Sequence, residues 1–125
     1  MRRTLIFGPK IEVIELQELL RQQNLFWEDN YQFDWTDNLE EFRVKIIDWD
    51  PTLVIIISNG ASGMEAAYIT RKKDLDVPLF WFSDDIDFGM KSHRLNCDYF
   101  SVKPITKEKI ERAFHRCAHL GIDFK

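Results

Sequence analysis

The sequence predicts an α/β fold: a doubly wound parallel sheet of five strands, a (βα)5 three-layer sandwich. Three observations predict it. Short apolar runs alternate five times with longer amphipathic segments, the order that puts a helix after each strand and makes successive strands parallel. The run Leu53-Val54-Ile55-Ile56-Ile57 is rich in β-branched residues and apolar on both faces, as a central parallel strand covered by helices on each side must be. The chain has 125 residues and is 45% hydrophobic, enough for one domain over residues 1–125 with a substantial core and no second module.

The elements follow in order. Leu5-Ile6-Phe7 is a short strand stopped by Gly8-Pro9, and Ile11, Ile14, Leu16, Leu19 and Leu20 then recur at helical spacing before Asn24. A second strand falls between Leu25 and Thr36, where Phe33 and Trp35 alternate with Gln32 and Asp34. Thr36-Asp37-Asn38 offers an N-cap for a helix running to about Trp49. Beyond the third strand, Ser58-Asn59-Gly60-Ala61-Ser62-Gly63 reads as a loop. The spacing then predicts a helix from Met64 to Lys73, a strand from Pro78 to Phe82 and a short helix from Ile86 to Leu95. A strand from Tyr99 to Val102 and a helix from Thr106 to Leu120 complete the fifth repeat.

Composition narrows the function. A net charge of -4 and a pI near 5.4 argue against nucleic acid or an anionic membrane as a partner, because both bind through a basic field. The apolar start Thr4-Leu5-Ile6-Phe7 stops at Gly8, too short for a signal peptide or a span, so the expected location is cytoplasmic. Cys97 and Cys117 have neither metal-site spacing nor disulfide density and read as reduced thiols.

Four stretches together carry a family signature: Asp50-Pro51 leading into Thr52 to Ile57, Gly63-Met64-Glu65, Val77 to Ser83, and Asp98-Tyr99-Phe100-Ser101-Val102-Lys103-Pro104-Ile105. In this register the whole chain resembles the CheY-like receiver domain of bacterial response regulators, a flavodoxin-like fold. The resemblance implies an acidic pair after the first strand and an aspartate ending the third that together hold Mg²⁺, the aspartate being phosphorylated. Serine or threonine and lysine then bind the phosphoryl oxygens, a cis proline shapes the next loop, and an aromatic ring on the fifth strand rotates inward. Ser83, Lys103, Pro104 and Phe100 stand at the matching positions. The acidic pair aligns with Gly8 and Pro9, and the phosphoacceptor with Ile57. Phosphoryl transfer relies on positioning and charge neutralisation by metal ligands, and these three side chains supply no oxygen. The resemblance therefore implies a degenerate pseudo-receiver with no metal site and no cofactor.

Other residues have simpler roles. With no carboxylate at the acceptor position, Lys103 is expected to lie over the sheet edge with its charge in water, and Ser83 to hydrogen-bond at the strand-to-loop junction. Asp84, Asp85 and Asp87 suit a helix start. Asp48 and Asp50 lie at the wrong end of the third strand to act as acceptors. The Ser58 to Gly63 loop lacks the lysine and spacing of a P-loop. His115 and His119, four apart, lack a third metal ligand, and His93 reads as a surface residue. Phe26, Trp27, Phe33 and Trp35 would make an interaction patch if exposed. The expected function is a non-enzymatic, non-phosphorylatable receiver serving as a protein-interaction module in two-component signalling or transcriptional regulation. Its expected face comprises Lys91, Arg94, Phe100 and Lys107, and its partner is a histidine kinase, another regulator or a second copy of the chain. Three alternatives stay open: an active receiver that accepts phosphate by an unrecognised route, a small-ligand or nucleotide sensor at the carboxyl edge of the sheet, and a receiver domain excised from a longer regulator.

Overall fold

The computed structural model describes residues 2–23 and 31–119. Strands β1 (Arg2–Phe7), β2 (Tyr31–Thr36), β3 (Leu53–Ile56), β4 (Leu79–Ser83) and β5 (Tyr99–Val102) alternate with helices α1 (Lys10–Arg21), α2 (Leu39–Asp48), α3 (Gly60–Lys73), α4 (Phe88–Arg94) and α5 (Lys107–His119). The strands form one parallel sheet in the order β2-β1-β3-β4-β5. Strand order reverses beside β1, and in such sheets the crevice for chemistry lies at the carboxyl ends near that switch point.

The two-residue period of the strands divides the core into two layers. Ile6, Ile55, Ile57, Phe80 and Phe82 pack with Val13, Leu16 and Leu20 of α1 and with Ile110, Ala113, Phe114 and Cys117 of α5. Leu5, Phe7, Val54, Ile56 and Trp81 turn the other way, against Phe42 and Ile46 of α2 and Ala66, Ala67 and Ile69 of α3. All four β3 residues are buried. Burial pushes the thiols of Cys97 and Cys117 up to about 12, so both are protonated and unreactive near neutral pH.

Three element starts differ by two residues or more from those expected, the first being β1, which begins at Arg2 instead of Leu5. Residues Gly60 to Gly63 belong to α3, which begins four residues before Met64. Gly60 turns the chain at φ +62°, and Gly63 allows the first turn to sit on the sheet, since a Cβ there would lie 2.4 Å from the Ser58 carbonyl oxygen and 3.0 Å from Trp81 Nε1. Helix α4 starts at Phe88 instead of Ile86, because Asp85 Oδ1 accepts a hydrogen bond from the Asp87 N–H at 2.9 Å and holds that stretch as a turn. Asn38 does cap α2, accepting from the Glu41 N–H at 2.9 Å.

One buried cation ties the far end of α3 to the rest. Arg71, 6% exposed, donates to the carbonyls of Leu95, Asp74, Val77 and Asn96 at 2.7–3.2 Å. It also reaches Asp98 Oδ2 at 3.4 Å, and that oxygen accepts from the Leu79 N–H at 2.8 Å. Phe33 and Trp35 are half-buried against the α1–α5 layer and form no free patch. Phe26 and Trp27 lie outside the described residues, as does the side chain of His119. Among the described residues no helix is long and apolar enough to cross a membrane.

Candidate functional site

The carboxyl edge of the sheet brings together the residues that the resemblance assigns to the metal and the acceptor. Ile57 follows β3 directly and extends its pairing with β1, its N–H donating to the Phe7 carbonyl at 2.8 Å. Its side chain is fully buried. The neighbouring Gly8 has room only because it lacks a side chain: a Cβ built there would lie 2.4 Å from Ile57 Cγ1 and 3.2 Å from the Ile57 carbonyl carbon. The isoleucine thus occupies the space that a side chain at position 8 would need. Pro9 precedes α1, and its carbonyl accepts the first helical bond, from Val13 N–H at 2.9 Å. Gly8, Pro9 and Ile57 offer a cation main-chain carbonyls only, and a divalent ion that prefers several carboxylate oxygens does not fit them. Among the described residues no cluster of three or more His, Cys, Asp or Glu side chains could hold a metal ion.

Lys103 departs from the expectation that its charge lies in water without a partner. Its Nζ donates to both carboxylate oxygens of Glu12, at 2.9 and 2.8 Å, and the lysine side chain is 14% exposed. The pair joins the end of β5 to the first turn of α1 across 91 positions of sequence. Glu12 is the partner of Lys103 that the sequence alone does not show. An acid in the first turn of a helix already has a sufficient role beside the dipole, and nothing in the local pattern marks it as a partner for Lys103.

The remaining receiver-type positions are engaged in the fold. Ser83 is fully buried; its Oγ accepts from the Asp85 N–H at 3.2 Å and donates to Asp84 Oδ1 at 3.4 Å. Its carbonyl accepts from the Lys103 N–H at 2.8 Å, which extends the β4–β5 pairing to the edge. The Lys103-Pro104 bond is cis, and Lys109 Nζ donates to the Pro104 carbonyl beyond it at 2.8 Å. The Phe100 ring meets Trp81 edge-on at 5.5 Å between centroids and lies 3.6 Å from where a Cβ of Gly89 would stand.

No protein-family model and no curated protein sequence matches the chain. Solved structures do. The non-phosphorylated HemR receiver domain from Leptospira biflexa superposes with a TM-score of 0.71 at 18% identity, over 93% of each chain. The response regulator TrrA from Thermotoga maritima, in complex with Mg²⁺ and BeF, gives 0.62 at 26% identity over 90% of this chain and 99% of that one. A CpaE2 pilus assembly protein from Sinorhizobium meliloti gives 0.69 at 16% identity over 92% and 98%. The chain has the response-regulator receiver fold.

Within the receiver fold, Ile57, Gly8, Ser83 and Lys103 gather at the same edge of the sheet, and Phe100 lies under α4. The four residues expected to share an interaction face fall on the neighbouring elements α4, β5 and α5. Lys91 and Arg94 line a groove with Met64, Glu65 and Tyr68 of α3, whereas Phe100 belongs to β5 and Lys107 to the start of α5.

Proposed function

We propose that the chain is a receiver that cannot be phosphorylated and that works as a protein-interaction module in signal transduction, presenting one constitutive surface. The observation that carries this reading is the contact between Ile57 and Gly8: hydrocarbon fills the volume where metal and phosphoryl group would need oxygen ligands. The ion pair of Lys103 with Glu12 supports it, because the lysine that would answer a phosphoryl group already has a carboxylate. A ligand drives a switch only through different affinities for two states, and a site without acceptor or metal ligands has lost that ligand. Phe100, edge-on against Trp81 and beside Gly89, is expected to keep one rotamer. The cleft that remains beside this edge, lined by Glu12, Glu15, Leu16, Lys103 and Ile105, has its lysine already paired with Glu12, which favours an interaction module over a sensor of anionic ligands. The setting is cytoplasmic, and partner choice rests on exposed residues of α4 and its neighbours.

The test is thermal unfolding with and without Mg²⁺ and beryllofluoride, a phosphoryl mimic. A ligand present at 100 times its Kd stabilises a protein by about 2.7 kcal/mol, a shift of several degrees at about 2–8 °C per kcal/mol. The expected change is none. A saturable rise that requires both Mg²⁺ and fluoride would defeat the reading.

A further inference from the structure

We propose that the groove between α3 and α4 is the docking site for an acidic peptide segment of a partner protein, anchored by one large apolar side chain. The proposal rests on the reading of the chain as an interaction module; it does not depend on the state of the phosphorylation edge. The groove encloses about 410 Å³ and is lined by Met64, Glu65, Tyr68, Lys91, Arg94 and Leu95. That volume lies within the range of about 300–1,000 Å³ typical of clefts that bury ligands. Met64 and Leu95 supply apolar wall, and Tyr68 stands 53% exposed between the two helices. Met90, 73% exposed, sits one turn before Arg94 on α4 and extends the apolar surface outward.

Charge decides the occupant. Lys45, Arg71 and Lys103 are each held by a carboxylate within the chain. Among the described residues Lys91 and Arg94 meet no carboxylate, and the only ring contact of Lys91 is with Phe88 at 5.4 Å. Two uncommitted cations at the rim of an apolar cleft are the complement of carboxylates flanking a buried hydrophobe. Arginine suits this role through its forked donors, and arginine and tyrosine are both among the residue types enriched at interface hot spots. Glu65 on the opposite wall fixes the direction of a segment by repelling acids from that side. A polyanion such as nucleic acid is disfavoured, because the net charge is -4 and Asp84, Asp85 and Asp87 are exposed just before α4. The competing occupant is a second copy of the chain offering α1, where Ile11 and Ile14 are 73% and 56% exposed beside Glu15.

Selection of random linear peptides displayed on phage against the intact protein, followed by fluorescence polarisation with the enriched peptides, tests the proposal. The expected peptides carry acids around a single Leu, Phe or Trp. The double variant Lys91→Glu, Arg94→Glu, whose changes are exposed and, in the last turn of α4, should lower the melting temperature by only a few degrees, should weaken them at least about tenfold, or 1.4 kcal/mol, since like charges in an interface repel strongly. Tyr68→Ala should weaken them without changing their charge preference, and peptides with lysine in place of the acids should prefer the double variant to the parent. No enrichment, enrichment without acids, or binding indifferent to the double variant overturns the proposal. Sedimentation of the protein alone covers the remaining occupant: self-association abolished by the double variant assigns the groove to a second copy and overturns it too. Phosphate uptake by a protein that still binds acidic peptides would sink the non-phosphorylatable reading and leave the groove standing.

Discussion

Replacing Arg71 with alanine is expected to cost about 3–5 kcal/mol, the range for removing one partner of a buried ionic network. The guanidinium is the shared donor for the carbonyls of Asp74, Val77, Leu95 and Asn96. Each buried acceptor left without a partner costs about 1–3 kcal/mol, so the network sets the lower bound even if water replaces some bonds. Asp98 would keep its bond from Leu79 N–H at 2.8 Å while losing its only ion pair among the described residues. The melting temperature should fall by at least about 6 °C at about 2–8 °C per kcal/mol. Arg71→Lys should recover only a part, because an ammonium cannot span carbonyls on both sides of the α3 end and the α4–β5 turn as the planar fork does. A fall below about 3 °C for Arg71→Ala would show that this arginine is not the tie between α3 and β5.

Placing an aspartate at position 57, where the receiver pattern has its acceptor, should damage the fold rather than create phosphoryl chemistry. Ile57→Asp removes a fully buried side chain from the α1–α5 layer; truncation of a buried Ile alone costs about 2–5 kcal/mol. The new carboxyl adds a desolvation cost of several kcal/mol, roughly, unless its pKa rises until it is neutral. Lys103 is not waiting for it, since Glu12 holds both ends of that contact. The conservative Ile57→Val should cost only about 0.5–1.5 kcal/mol. Urea unfolding of the two variants separates the explanations: equal small losses would mean that the site tolerates a carboxylate and that the packing against Gly8 is not what closes it.

The sheet was legible because its information is local. The period of two in β3 sends Val54 and Ile56 to one layer and Ile55 and Ile57 to the other, and apolar residues at every position can be read directly as burial on both faces. The start of α3 was not legible, since Gly60, Ala61, Ser62 and Gly63 are typical turn residues. Their helical state depends on Gly63 meeting Ser58 and Trp81 closely, a contact that exists only in three dimensions. Alignment to the receiver pattern placed Gly8 and Ile57 at one edge, but that the second fills the volume of the first is a fact of geometry. Glu12 and Arg71 were invisible for the same reason: their partners are distant in sequence, and a helix-start acid and a helix-end base each have an adequate local explanation.

The carboxyl edge of this receiver fold is expected to have no working acceptor. Intact-mass spectrometry after incubation with acetyl phosphate and Mg²⁺ tests it most directly, with a phosphorylatable receiver treated in parallel as the positive control. The expected result is an unchanged mass for this protein under conditions that label the control. Stoichiometric addition of one phosphoryl group, labile to hydroxylamine as an acyl phosphate is, would contradict it.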